Sequence, residues 1–370
     1  MRGNNVVGII FPNVYDSYMS ELTALRSMGS VPFGGRYRLI DFPLSAMVEC
    51  GMGKVGVIPK SNYQSLMDHI GSGRSWDLSR KNGGIYLIPP FNTAGAGMHT
   101  TRIEALAGAM DFIRHCDEEY VLLTDCNVIC SLELEKLFDF HQKNNADITV
   151  AYAKGTSPNL PNWLGFETAE DGRITGAEII PQSEDVNFSM NIYFMRKALL
   201  ERIVNDAMRL GVFDYERNFI INNLTQLKIY GYECGGYVRV LDGLKSYFDV
   251  NMSLLSRDNR KALFAKDRPI YTKVRDEVPA IYGLGSSVKN SLVTDGCVID
   301  GSVENCVLSH GVHIGKGAVV KDCILMNNTY ISDGVHINCV IADKEVVIKP
   351  QKTLAGDEAY PLFIGKRIVI

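Results

Sequence analysis

The side chains of this 370-residue chain that could bind an anion are a set of arginines. Arg36 and Arg38 directly follow the Gly34-Gly35 pair in the segment VPFGGRYRLIDFPLS (residues 31–45), and Arg74 and Arg80 lie further along. Guanidinium groups bind anions through paired N–H donors and glycine allows close backbone approach, so the segment is a candidate anion site. Asp125 closes the strand-like run YVLLTD and by itself reads as a cap or turn residue. No nucleophile–base pair can be read from the chain. Its seven histidines show ligand-like spacing only at His310 and His313, which fall in a repeat region and read as solvated turn residues. The nine cysteines contain no CxxC pair, which points to buried reduced thiols and away from metal or disulfide roles.

Two kinds of framework must position these groups. Residues 5–11 (NVVGIIF), 54–59 (KVGVIP), 120–125 (YVLLTD) and 146–153 (ADITVAYA) read as strands. Residues 61–70 and 102–115, with apolar side chains three and four apart, read as helices. This rhythm implies a Rossmann-like, mostly parallel, doubly wound α/β domain over residues 1–255, with ligands at the carboxyl ends of its strands. Residues 256–280, carrying Arg257, Arg260, Lys261, Lys266 and Arg268, form a charged connector. Over 281–370 the aliphatics Val293, Ile299, Val303, Leu308, Ile314, Val320, Leu325, Ile331, Ile337, Ile341 and Val347 recur every four to six residues, with Gly, Asn and Asp between. A period near six marks a parallel β-helix of hexapeptide coils; sandwich strands would be punctuated by turns roughly every 8–12 residues. Cys297, Cys306 and Cys323 are expected to point inward. The 46% hydrophobic content supplies a sizeable core, and the net charge of −4 opposes nucleic-acid binding through bulk positive charge. With no long apolar run and no signal peptide, the expectation is a cytoplasmic protein partnered by neither membrane nor nucleic acid.

The segment VPFGGRYRLIDFPLS closely resembles the signature of ADP-glucose pyrophosphorylases (glucose-1-phosphate adenylyltransferases), and the resemblance extends over essentially the whole chain. It implies a nucleotidyltransferase domain followed by a left-handed β-helix, and the reaction of ATP with glucose 1-phosphate to give ADP-glucose and pyrophosphate. Members of that family carry a Gly-rich phosphate loop before the signature. Here the same register reads Asn13-Val14-Tyr15-Asp16-Ser17-Tyr18-Met19, with no glycine and with Tyr18 at the motif's arginine. Arg26 keeps the Arg of the family's RAKP, but the Lys is Met28 and the Pro is Gly29. The two metal-binding Asp positions read Asn127 and Val240, which leaves Asp125 and Asp242 as fallback ligands. Alternate side chains on a strand lie about 6.6 Å apart, a long way on the scale of a ~2.1 Å Mg–O bond. The motif GTADA reads Thr101-Arg102-Ile103-Glu104-Ala105, EKP reads Ile179-Ile180-Pro181, and SMGIY is largely kept as Ser189-Met190-Asn191-Ile192-Tyr193. Arg26, Ser189 and Tyr193 are therefore expected as ligand-binding remnants. Arg36 and Arg38 are expected near the domain junction, where the family's sugar-bisphosphate activators bind.

This pattern most resembles the GlgD-type regulatory subunits of the family. It implies a catalytically silent or weak subunit needing no cofactor of its own. Its partner would be a catalytic, GlgC-type ADP-glucose pyrophosphorylase subunit in which Mg²⁺ acts, in a tetramer, with self-association when the chain is alone. Two alternatives stay open. One is an active adenylyltransferase using Asp125 and Asp242 in a rearranged metal site. The other is a sugar-nucleotide-binding protein without a catalytic partner.

Overall fold

The computed structural model describes residues 3–90 and 99–370. Its first part contains strands β1 (Val6–Phe11), β2 (Pro32–Phe33), β3 (Tyr37–Arg38), β4 (Lys54–Val57), β5 (Gly84–Leu87), β6 (Tyr120–Asp125), β7 (Val128–Cys130), β8 (Ile148–Gly155), β9 (Trp163–Thr168), β10 (Ile174–Ile180), β11 (Val186–Arg196), β12 (Ile229–Glu233) and β13 (Val238–Val240). A nine-stranded sheet runs in the order β10-β9-β11-β6-β1-β4-β5, with β8 paired to β11 and β12. β1 is apolar along its whole length and fully buried, as a central strand covered on both faces must be.

Strands β6, β1, β4 and β5 run parallel, whereas β11 lies antiparallel to β6, β8 and β9. The sheet is thus mixed, and less parallel than the sequence rhythm implies. The reason is local: no helix separates β8 from β11, so the chain folds straight back on itself.

The VPFGGRYR segment is a hairpin, with β2 antiparallel to β3 and both turn glycines left-handed (Gly34 φ +58°, Gly35 φ +77°). A Cβ on Gly35 would lie 3.1 Å from Thr294 Cγ2 and 3.2 Å from the Leu308 carbonyl oxygen. The glycine pair therefore serves close packing of the hairpin on the C-terminal domain. The Gly34 N–H donates to Asn251 Oδ1 (2.9 Å), and the Tyr247 hydroxyl donates to the Pro32 carbonyl (2.6 Å).

From Ile281 onward the chain winds into a left-handed β-helix with three parallel faces of five strands each. Ile299, Ile314, Ile331 and Ile348 stack inward on one face, Val303, Val320 and Ile337 on the second, and Leu308, Leu325 and Ala342 on the third. Cys297, Cys306 and Cys323 are buried in this column. The expected rungs Ile341 and Val347 sit one residue early, because Ala342 and Ile348 take the inward places. Ile341 instead joins Val307 and Ile324 on the outside of the third face, where all three are buried in a core shared with the first domain. That shared core also holds the Arg26–Asp343 ion pair, so the two domains are welded by apolar and ionic contact.

Candidate functional site

In a sheet of this topology the chemical crevice lies at the carboxyl ends of the parallel strands. Here those ends are Phe11 of β1 and Asp125 of β6, which are directly paired. Residues 13–19, which stand in register with a phosphate loop, leave β1 there, and side-chain hydrogen bonds fix them. Asn13 accepts from the Lys60 N–H (2.9 Å) and donates to the Ser61 carbonyl (3.0 Å) and to Asp16 (2.6 Å). Asp16 in turn accepts from the Met28 N–H (2.8 Å). Burial pushes the Asp16 carboxyl up to about 6, with the Asn13 and Met28 donors pulling it back.

The next residue inward fills the crevice. Tyr15 is buried against Trp163, with ring centroids 5.7 Å apart. Its phenolic oxygen accepts from Arg102 Nη2 (2.6 Å) and Asn191 Nδ2 (2.8 Å). A bulge in β11 between Ser189 and Ile192 presents Asn191, whose φ is +54°. Arg102 is the first residue of the helix Arg102–Gly108, which starts in a capping box: Thr101 Oγ1 accepts from the Glu104 N–H (3.2 Å), and Glu104 accepts from the Thr101 N–H (3.0 Å). Its guanidinium donates to both oxygens of Asp125 and, through Nη1, to Glu216 (2.8 Å), and it lies 4.8 Å from the Tyr215 ring centroid. Burial opposes the charge on Arg102, but Asp125, Tyr15 and Glu216 together push its pKa above the usual arginine value. Burial likewise lifts Asp125 and Glu216 above the usual carboxylate range, while Arg102 pulls both back. One guanidinium facing two carboxylates leaves a closed, saturated network whose formal charge is negative.

The two positions in register with the family's metal-binding aspartates do converge. β13 pairs with β7, Val240 lies opposite Val128, and the Leu241 N–H donates to the Asn127 carbonyl (2.8 Å). Asn127 is wholly buried, and its Oδ1 has no hydrogen-bond partner. One neutral amide oxygen beside a valine does not fit Mg²⁺, which needs anionic oxygen ligands in octahedral array. The fallback ligands do not repair this. Both Asp125 oxygens are engaged by Arg102, and Asp242 Oδ2 accepts from the Asn159 N–H (2.8 Å). Among the described residues, no group of three or more His, Cys, Asp or Glu side chains could hold a metal.

Other expected site residues sit apart from the crevice. Tyr18 is 41% exposed and Met28 is core. Arg26 is corrected from ligand remnant to structural ion pair: only 2% exposed, it donates through Nη2 to Asp343 Oδ1 (2.8 Å) and Oδ2 (2.7 Å). Ser189 and Tyr193 are likewise corrected. Both are fully buried, Ser189 Oγ accepting from the Asn191 N–H (3.0 Å) and Tyr193 packing edge-on to Tyr215, so neither side chain can reach a ligand. Arg80 is paired with Asp77. Glu216 carries no signal in the sequence, and Tyr15 and Arg102 stand out there only as departures from the family's phosphate loop and GTADA motif. The legible signal was a lone arginine inside an apolar helix start, directly after a capping-box threonine.

Arg36 and Arg38 line a second feature, a cleft of about 500 Å³ between the hairpin and the β-helix that also holds Lys273, Arg275, His310 and Lys344, together with the carboxylates Asp68, Asp276, Glu277 and Glu345. Arg38 Nη1 donates to the Ser65 carbonyl (2.6 Å), and burial lowers the Arg38 pKa to about 10. Burial, then Arg38, Arg26 and Arg275, lower Lys344 to about 6. His310 is buried, not a solvated turn residue, and its Nδ1 has no partner.

The family profile described as Nucleotidyl transferase matches residues 17–224, and that of the GlmU-like C-terminal hexapeptide matches residues 281–360. The chain is 33% identical over 369 residues to the glycogen biosynthesis protein GlgD of Bacillus subtilis (strain 168), covering all of this chain and 98% of that one. It is 34% identical to the GlgD protein of Geobacillus stearothermophilus, over 86% of this chain and 83% of that one. It is 30% identical to the glucose-1-phosphate adenylyltransferase of Clostridium perfringens (strain 13 / Type A), over 94% and 96%.

Proposed function

Because this chain belongs to the glucose-1-phosphate adenylyltransferase family and is a glycogen-biosynthesis relative of ADP-glucose pyrophosphorylase, we propose that it is a catalytically silent, or at most weak, regulatory subunit of that enzyme. The observation that carries silence is the Arg102 network. Adenylyl transfer gathers negative charge where the triphosphate is attacked, and stabilising it takes free cations, amide donors and a metal. At the corresponding strand ends this chain offers a guanidinium already neutralised by Asp125 and Glu216 and capped by the Tyr15 hydroxyl. A triphosphate would meet negative charge, no glycine cradle, and Asn127 and Val240 in place of carboxylates. The alternative of an active enzyme built on Asp125 and Asp242 finds both side chains already engaged.

The regulatory role rests on family membership and on the junction cleft, whose lining has six Lys or Arg side chains against four Asp or Glu. In this reading the partner is a catalytic, GlgC-type subunit in a cytoplasmic tetramer, and Arg36 and Arg38 sense an anionic effector. Kinetics of a catalytic partner with and without this chain, across candidate phosphorylated effectors, test it. The expected result is a changed maximal rate, substrate affinity or activator response on mixing. No change in any of the three overturns the regulatory role.

A further inference from the structure

Of the nine cysteines, Cys130 is half-buried and the other eight are buried. Cys130 closes β7, and Cys234 directly follows β12. The main chain holds both in place. Cys130 lies opposite Val238 across the β7–β13 pair, the Ser131 N–H donates to the Tyr237 carbonyl (3.4 Å), and the Cys234 N–H donates to the Tyr152 carbonyl (2.7 Å). Between β12 and β13 the chain bends at Gly236, whose φ is +93°. This brings the two thiols into contact, and the Cys130 S–H donates to Cys234. Beside them stands Arg268, whose Nη1 donates to the Ser131 carbonyl (3.0 Å) and whose Nε has no hydrogen-bond partner among the described residues. Cys130 and Arg268 both line a cleft of about 290 Å³ between the helix Asp41–Glu49, the start of the helix Leu134–Lys143 and connector residues 267–270.

The two sulfurs differ in character. The Cys130 S–H holds the Cys234 thiol below the usual cysteine value against the effect of burial, and the Arg268 charge adds to this; the same bond keeps Cys130 protonated. Cys234 is thus the nucleophile and Cys130 the thiol placed to resolve it. Other thiols lack this combination. Cys50 lines the same cleft, but its Sγ donates to the Met47 carbonyl (3.0 Å) and burial pushes its thiol up to about 12. Cys306 and Cys323 also touch, yet both are 0% exposed inside the β-helix, against 7% for Cys234. We propose that Cys130 and Cys234 are a reversible disulfide site whose oxidant is a small peroxide admitted through the cleft. The Cys234 thiolate attacks one peroxide oxygen and the O–O bond breaks. The other oxygen departs as hydroxide and takes up the proton that Cys234 had released, giving water and a sulfenic acid. The Cys130 sulfur then attacks the sulfenic sulfur; the S–S bond forms, the S–O bond breaks, and a second water leaves with the Cys130 proton. The two sulfurs pass two electrons to the peroxide. A reducing thiol returns the pair to its resting state. This inference does not rest on the silent-subunit reading.

Peroxide treatment of the reduced full chain tests it. The protein is exposed to a small excess of hydrogen peroxide, quenched with catalase, unfolded and alkylated with N-ethylmaleimide, and its thiols are located by peptide mass mapping. The bridged pair is expected to drop out of the nine labelled thiols, leaving seven, and to appear as one linked peptide that dithiothreitol releases. Cys130→Ser is expected to leave Cys234 as a sulfenic acid that dimedone traps. Cys234→Ser is expected to slow oxidation at Cys130 by about tenfold or more, because the thiolate is the reacting form. Mapping of the unmodified chain needs no variant, so it decides the matter even where a substitution unfolds the protein. Nine free thiols after treatment, a bridge at Cys306 and Cys323 instead, a bridge between two chains on a non-reducing gel, or undiminished oxidation of Cys130 in folded Cys234→Ser each overturns the inference.

Discussion

Replacing Arg102 with methionine keeps the aliphatic stem and removes the only charge that Asp125 and Glu216 share. In the intact protein both carboxylates are almost wholly buried and donate nothing, so the guanidinium is what makes their ionised forms tolerable. Removing one partner of a buried ion pair typically costs about 3–5 kcal/mol. Here two acids are orphaned, so the upper end is expected, a large part of a total stability of about 5–15 kcal/mol. The loss has a definite pH sign. Burial already raises both folded-state carboxyl pKa values, and without Arg102 only the smaller effects of the Asn191 side chain on Asp125 and of a backbone N–H on Glu216 pull them back. A raised folded pKa means stability is present at low pH and is lost as pH climbs from the unfolded carboxylate value through the folded one. Arg102→Met should therefore be mildly destabilised near pH 5 and severely near pH 8. Urea unfolding followed by tryptophan emission reads this, since Trp163 packs on Tyr15 within the network. Adding Asp125→Leu and Glu216→Leu removes the orphaned acids and should recover most of the loss. A loss below about 1 kcal/mol with no pH dependence would refute the argument, because the crevice would then not be held shut by charge.

Three further outcomes follow from other parts of the molecule. Asp343→Ala strands the buried Arg26 charge at the domain junction and should cost about 3–5 kcal/mol, whereas the pair Arg26→Met/Asp343→Leu should lie close to the parent in chemical denaturation. Lys344, lowered to about 6, is mostly neutral at pH 7, so an anion entering the junction cleft should draw in close to one proton. Calorimetry with inorganic phosphate in buffers of different ionisation enthalpy measures that uptake, and affinity should fall between pH 6 and pH 8. Asn127→Asp with Val240→Asp restores both carboxylates but leaves the missing cradle and the Arg102 network, so ADP-glucose formation should remain undetectable in a coupled assay.

The parts legible in the sequence were those governed by period and by local pairing. β6 spans residues 120–125 as its apolar run indicates, and β1 is a buried strand. The six-residue aliphatic period identifies the β-helix because each coil repeats the same packing problem. It slipped only where aliphatics adjoin, at Val340-Ile341-Ala342 and Val346-Val347-Ile348, since a run of neighbours does not say which one points inward. Within the site, the convergence of Asn127 and Val240 followed from register. The fates of Arg26, Ser189 and Tyr193 did not, because each is set by a partner distant in sequence or by burial between packed layers. Arg26 finds Asp343 in the other domain, and no local pattern marks that pairing. The Tyr15–Arg102–Asp125–Glu216 network joins four separate segments for the same reason.

The most direct test is turnover by the purified chain alone, supplied with ATP, glucose 1-phosphate and Mg²⁺ and assayed for ADP-glucose. A typical enzyme turns over at ~10 s⁻¹. A crevice closed by Arg102 and lacking both metal carboxylates predicts a rate below about a thousandth of that, while the same preparation still alters the kinetics of a catalytic partner. A rate within about tenfold of the typical value would contradict the account.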